Sequence, residues 1–152
     1  MGKVRYQEGD VFAVTLRGEG WCLGVVARKP KGGKVLLGYF FGPRLSELPT
    51  ADRLPSLSAD QARRIAKFGD LYLIDGKWPI VGHIPDWDRT KWPMPRFVLR
   101  DPLVARAVLI TYAEDNPAQE VAREPCPVDI SGYEKASLWG AGFAEAVLDK
   151  DM

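Results

Sequence analysis

Three apolar runs open the chain. Asp10-Val-Phe-Ala-Val-Thr-Leu16 is rich in β-branched residues and is bounded by Gly9 and by Gly18-Glu-Gly20, the composition of a strand between turns. Trp21-Cys-Leu-Gly-Val-Val-Ala27 and Lys34-Val-Leu-Leu-Gly-Tyr-Phe-Phe41 read as two further strands. Between them, Lys29-Pro-Lys-Gly-Gly-Lys34 carries a Gly32-Gly33 pair able to take the positive φ of a tight hairpin. The first 42 residues therefore predict an antiparallel meander.

Next comes a loop punctuated by Pro43, Pro49 and Pro55. Ser58 and Gln61 have capping-box spacing, Ala62, Ile65 and Ala66 give a narrow apolar stripe, and Gly69 is placed as a helix stop, so the pattern predicts a helix between them. Asp70-Leu-Tyr-Leu-Ile74 and Trp78-Pro-Ile-Val-Gly-His83 then read as strands around an Asp75-Gly76 hairpin. Phe97-Val-Leu99 and the run from Ala105 to Tyr112 complete about seven short strands. The segment Glu114 to Pro127 holds three Pro and little periodicity, and reads as a connector. Ser131 and Glu134 form a second capping box, and Tyr133, Ala136, Gly140, Phe143 and Val147 share a helical stripe. Gly140 and Gly142 each cost about 1 kcal/mol in a helix, so a break there is expected.

The fold class that follows is α+β and predominantly β. We expect a strongly bent antiparallel sheet or partly open barrel, with one inserted helix and a C-terminal helix. At 152 residues one domain is expected over 1–152. It divides into a β-rich body (1–113), a connector (114–130) and a C-terminal helical segment (131–149).

Charge changes the picture. Residues 1–113 hold 18 Lys/Arg against 11 Asp/Glu, a net of +7, whereas residues 114–152 hold 3 against 9, a net of −6. Such segregation suits a chain that grips a partner, or its own other half. The acidic side chains include Glu114, Asp115, Glu120, Glu124, Asp129, Glu134, Glu145, Asp149 and Asp151. They would steer a basic partner or neutralise the basic body. The cluster Arg28, Lys29, Lys31 and Lys34 surrounds the first hairpin tip, where it would meet phosphates or keep a strand edge from pairing. The acidic third argues against a nucleic-acid partner.

The chemistry-bearing residues are sparse. His83 is the sole histidine, and Asp86 and Asp88 are its nearest acidic neighbours in sequence; metal sites usually ask for more His or Cys than that. No cofactor is expected. Gly18, Gly20 and Gly24 miss the dinucleotide fingerprint by one residue and precede a strand rather than a helix, so they read as a turn. Cys22 sits in an apolar run and reads as core. A disulfide to Cys126 stays open, and so does its absence. Pro85-Asp-Trp-Asp-Arg-Thr-Lys-Trp-Pro-Met-Pro95 is the most unusual local composition. Asp86, Trp87, Asp88 and Trp92 are candidate partner contacts, as are Glu114, Asp115, Glu120 and Glu124. The competing reading of Trp87 and Trp92 is that they plug the core. The N-terminus has no apolar leader pattern, and no run is long enough to span a bilayer, so a cytoplasmic location is expected.

Gly9-Asp10-Val11-Phe12-Ala13-Val14, Leu16, Gly20, Gly24-Val25-Val26, the patch Gly76-x-Trp78-x-Ile80-x-Gly82, Pro95 and Phe97 together resemble the immunity protein 26 family of bacterial polymorphic toxin systems. The resemblance covers roughly residues 4–100. It implies a predominantly β fold and a non-enzymatic antidote that binds a cognate protein toxin, with a basic nuclease as one form of that toxin. Neither nucleic acid nor membrane is an expected partner, and the protein itself is expected as a monomer or weak dimer. The matching positions look like fold markers and transfer no site. Two alternatives stand beside it: a small hydrolase or ligand-binding enzyme using Asp86, Asp88 and His83, and a barrel-type peptide or nucleic-acid module reading partners on Trp87 and Trp92.

Overall fold

The computed structural model describes residues 4–101, 106–126, 130 and 132–152. The opening meander forms as expected. β1 (Asp10–Thr15), β2 (Trp21–Arg28) and β3 (Val35–Leu45) pair antiparallel in sequence order, and Gly32 at the β2–β3 tip has φ +72°. They form the centre of a five-stranded sheet ordered β4-β3-β2-β1-β5, with β4 at Arg64–Gly69 and β5 at Ile80–His83. A second sheet is ordered β6-β7-β8, from Phe97–Asp101, Arg106–Ala113 and Asn116–Pro125. The expected α+β, mostly β architecture holds, as bent antiparallel sheets rather than a closed barrel.

The central strands read as continuous apolar runs because both faces of their sheet are covered. Phe12, Val14, Cys22, Val26, Phe40 and Phe68 point to one face, where Trp78, Trp139, Ala144 and Leu148 meet them. Val11, Ala13, Val25, Tyr39 and Phe41 point to the other, against Trp92, Phe97, Ile110 and Tyr112. The C-terminal helix α2 (Ala141–Asp151) closes the first face. The second sheet, with the loop before β4 and the loop after β5, closes the other.

Four local expectations are corrected. The helix read between Ser58 and Gly69 is a single 3-10 turn, Ala59–Gln61, followed by β4. Ser58 spends its hydroxyl on Asp60 Oδ1 at 2.5 Å instead of capping a helix. β3 needs a partner on its outer edge, and residues 64–69 supply it in register from Val35↔Gly69 to Phe40↔Arg64. Tertiary pairing overrides a weak helical stripe.

The strand read at 70–74 is instead the one-turn helix α1 (Leu71–Ile74), the inserted helix of the fold. Asp75-Gly76 is its stop, not a hairpin. Gly76 has φ +82°, and its N–H donates to Leu73 O at 3.2 Å, as a left-handed helix cap does.

The segment read as a connector is β8, an edge strand exposed along nearly its whole length. With neither face buried it has no alternation to read, and Pro117 and Pro125 sit at its ends, where an edge tolerates them.

The C-terminal helix starts at Ala141 behind Gly140, where a break was expected. Its packed residues are Ala144, Glu145 and Leu148, while Phe143 of the anticipated stripe is 57% exposed. Residues 132–139 are instead bridged to the sheets, Lys135 to Val98 and Trp139 to Phe68. Ser131 of the second capping box, Asp129, Pro127 and Ala105 lie outside the described residues.

The resemblance motifs acquire physical roles here. Trp78 is fully buried and stacks on Phe12 at 5.8 Å. Gly24 leaves room for the Phe12 ring, and Gly82 leaves room for Leu54.

Candidate partner-binding site

Two loops meet beside β5. One runs from the end of β3 to β4 and carries Leu57, Ser58 and Asp60. The other follows β5 and carries Ile84, Pro85, Asp86, Asp88 and Trp92. Between them lies a cavity of about 660 Å³ with Leu57, Ile84 and Trp92 along its apolar side and Asp60, Asp86, Asp88 and Lys91 on its rim. A neighbouring cavity of about 480 Å³ shares Leu57, Ile84 and Pro85 and reaches His83. Together they make a groove with an apolar floor and an edge on which three carboxylates outnumber one ammonium, that of Lys91.

The second loop is held from below by three consecutive residues. Glu8 accepts from Trp87 Nε1 at 3.1 Å and from Arg89 Nε and Nη2 at 2.8 and 2.6 Å. Gly9 O accepts from Ile84 N at 2.9 Å. Gly9 itself has φ +91°, and a Cβ there would lie 2.8 Å from His83 Cε1 and 2.9 Å from the Trp87 ring. Asp10 receives His83 Nδ1 at 2.9 Å and Gln7 N at 2.8 Å. Burial works against ionisation of Glu8, but the hydrogen bonds from Arg89 and Trp87 outweigh it and hold its carboxyl below the ordinary carboxylate range.

The loop is also braced internally. Asp88 accepts from Thr90 Oγ1 at 2.6 Å and Thr90 N at 3.0 Å, and those bonds lower its pKa. Asp86 takes φ +51°, a left-handed conformation that Asp tolerates better than most side chains. Both carboxylates are exposed at the loop tip.

The remaining sequence candidates separate. Trp92 is 4% exposed and packs edge-on against Tyr39 at 5.1 Å and Phe41 at 6.0 Å, so it plugs the core and offers almost no surface. Trp87 is half-buried, 5.6 Å from Trp92. Glu114 pairs with the fully buried Arg28, and Asp115 beside it is exposed. Both act electrostatically on Arg89. Glu120 pairs with Arg123 and Glu124 with Arg96 on the exposed β8; neither lines the groove. His83 turns to Asp10 rather than to Asp86 or Asp88. Among the described residues no three His, Cys, Asp or Glu side chains converge as a metal site. The cysteines are both free thiols.

Sequence reading missed Asp60, Leu57, Glu8 and Arg89. Asp60 was hidden inside an expected helix. Glu8 adjoins the Gly9-Asp10 motif, and that adjacency was the available signal.

Much of the segregated charge meets within the fold. Arg44 pairs with Asp149 at 2.9 Å, and Arg64 pairs with Glu134 at 2.8 Å and Asp151 at 2.5 Å. The Glu134 and Asp151 hydrogen bonds raise the Arg64 pKa against its burial. These pairs fasten the acidic third onto the basic body. Asp60, Asp86 and Asp88, which form no salt bridge among the described residues, belong to the body itself.

The site is thus a loop fastened onto the Glu8-Gly9-Asp10 segment, with carboxylates beside an apolar groove. Residues 7–109 match the family model of Immunity protein 26, and the chain belongs to that family. The match spans the Glu8-Gly9-Asp10 anchor and both groove loops, and ends before β8 and α2. No curated protein and no solved structure matches the chain. No helix among the described residues is long and apolar enough to cross a membrane.

Proposed function

We propose that this chain is a cytoplasmic immunity protein that neutralises a cognate bacterial toxin by non-covalent, one-to-one association. Membership of the Immunity protein 26 family carries this reading. The groove supplies the contact surface. Its loop is fastened before any partner arrives, so binding orders few side chains. Asp60, Asp86 and Asp88 face outward around an apolar floor, which suits a basic toxin surface with an apolar anchor. Where the toxin is a basic nuclease, these carboxylates take the place of substrate phosphates and close its active site. Exposed Asp115 extends the same negative field.

The test is co-expression with the toxin encoded beside it. Wild type should restore growth and give a 1:1 complex by gel filtration. An Asp86→Lys/Asp88→Lys variant should do neither while still folded at the assay temperature, although it melts lower because Lys is strained at φ +51° and the Thr90 bonds are lost. Protection that survives the double charge reversal would remove the groove from the proposal, and wild type that neither protects nor binds would remove the immunity role.

A further inference from the structure

A second cleft lies on the other side of the anchoring segment. The chain from Val4 to Gln7 runs beside the β2–β3 hairpin tip, and the space between them is about 890 Å³, within the roughly 300–1,000 Å³ of ordinary ligand clefts. Arg5, Lys29 and Lys31 line it, and among the described residues none of the three has a carboxylate partner. This contrasts with Arg28, Arg44, Arg64, Arg89 and Arg96, all of which are ion-paired.

The cleft is preorganised. The Tyr6 hydroxyl donates to Asp70 Oδ2 at 2.7 Å, which fixes the ring. Lys29 Nζ donates to Tyr6 O at 2.7 Å and lies over that ring, 4.6 Å from its centroid. Asp10 and Asp70 also line the cleft but are 7% and 8% exposed and are engaged by His83, Gln7 and Tyr6. The rim therefore presents positive charge, and the negative charge sits beneath it, already satisfied.

We infer that this cleft is a second recognition site, which takes an acidic, carboxylate-rich segment of the toxin. The identity of the partner rests on the immunity reading; the cleft itself is argued from its own residues. Nucleic acid fits it less well. Single strands bind on stacking aromatics, and Tyr6, the one aromatic among the described residues that line the cleft, is 7% exposed with Lys29 across its face. With the acidic groove on the far side of residues 7–10, the protein would read a toxin surface of paired opposite charge. Such a pattern selects against partners that carry only one sign.

The probe is a hexaglutamate peptide, titrated into the full chain by amide chemical shifts at low salt. Saturable shifts should map to Arg5, Lys29 and Lys31. Arg5→Glu/Lys31→Glu, two exposed positions, should weaken binding about tenfold or more with an unchanged melting temperature. Absence of saturable binding, or binding equal in the variant, would overturn the site. A single-stranded oligonucleotide that binds tighter than the peptide and displaces it would overturn the choice of ligand. Because the peptide replaces the toxin in this experiment, failure here leaves growth protection unchanged, and failure of protection leaves the titration unchanged.

Discussion

Leu54 sits where Gly82 has no side chain. A Cβ built on Gly82 would fall on Leu54 Cδ1 and come within 3.9 Å of Ala51, so β5 and the loop before β4 lie in direct contact at this point. Gly82 pairs with Val11 of β1, which leaves the strand no freedom to retreat. Gly82→Ala is therefore expected to displace the Leu54 side chain, and with it the loop, at a cost of about 1 kcal/mol, the low end of overpacking because the clash is with a side-chain methyl. Chemical denaturation would measure it. The loop also forms one wall of the acidic groove, so the same variant should lose toxin affinity. A variant as stable as wild type would show that Leu54 yields without cost.

Trp92→Ala separates core from surface. The ring touches Tyr39, Phe41 and Trp87 and is nearly inaccessible. Truncation should cost about 3–5 kcal/mol, the usual range for a buried Trp. Unfolding followed by fluorescence and by circular dichroism would give the value. A loss under 1 kcal/mol would return Trp92 to the surface and to partner binding.

How much of this was legible beforehand depended on where each segment's backbone partners lie. β1, β2 and β3 carry their own turns and bury both faces, so their apolar runs sufficed. Residues 64–69 form a strand because β3 presents an edge to them, a fact held by residues some thirty positions away. β8 is exposed on both faces and leaves no hydrophobic period at all. The groove was half legible. Asp86 and Asp88 stood out by composition, whereas Asp60 reaches them only through the loop packed on Gly82. Glu8 looked like an ordinary surface carboxylate until the fold brought Trp87 and Arg89 onto it. The charge split between the two parts of the chain was visible, but not that α2 would spend Asp149 and Asp151 on Arg44 and Arg64.

Acid should release the groove loop. The folded-state pKa of Glu8 lies below its ordinary 4.5. A depressed carboxylate contributes stability that is present above its unfolded pKa and is lost as pH falls through the folded one. Docking of Trp87 on Glu8 should therefore persist at pH 6 and weaken as pH drops below about 4.5, visible as a change in tryptophan emission. In Arg89→Gln the strongest hydrogen bonds to Glu8 are gone and burial prevails, so the release should move to higher pH. An unshifted transition in that variant would mean that another carboxylate controls the loop.

The two thiols should differ sharply. Burial pushes the Cys22 pKa up to about 12, against a smaller opposing effect of Arg44, and the side chain lies among Phe12, Val26 and Phe40 in the core. The thiolate is the reactive form, so Cys22 should stay inert at pH 8. Cys126 is partly exposed. A colorimetric disulfide reagent should titrate one thiol in the native protein and two in denaturant. Two fast-reacting native thiols would show that the face closed by α2 opens readily.

Asp86 combines a charge with an unusual backbone, and the two can be tested apart. At φ +51°, Asn keeps the local preference for the left-handed region, whereas Ala meets a cost of about 1–2 kcal/mol. Asp86→Asn should therefore melt as wild type does, and Asp86→Ala should melt lower. If the carboxylate steers a basic toxin, both variants lose association rate, and the loss shrinks as salt screens the field. If the loop's shape is what matters, Asn binds as wild type does and only Ala weakens the complex, chiefly through faster dissociation. Stopped-flow association at two ionic strengths distinguishes the outcomes. A rate unchanged in Asp86→Asn at low salt would take this carboxylate out of the electrostatic reading while leaving the braced loop as a shape determinant.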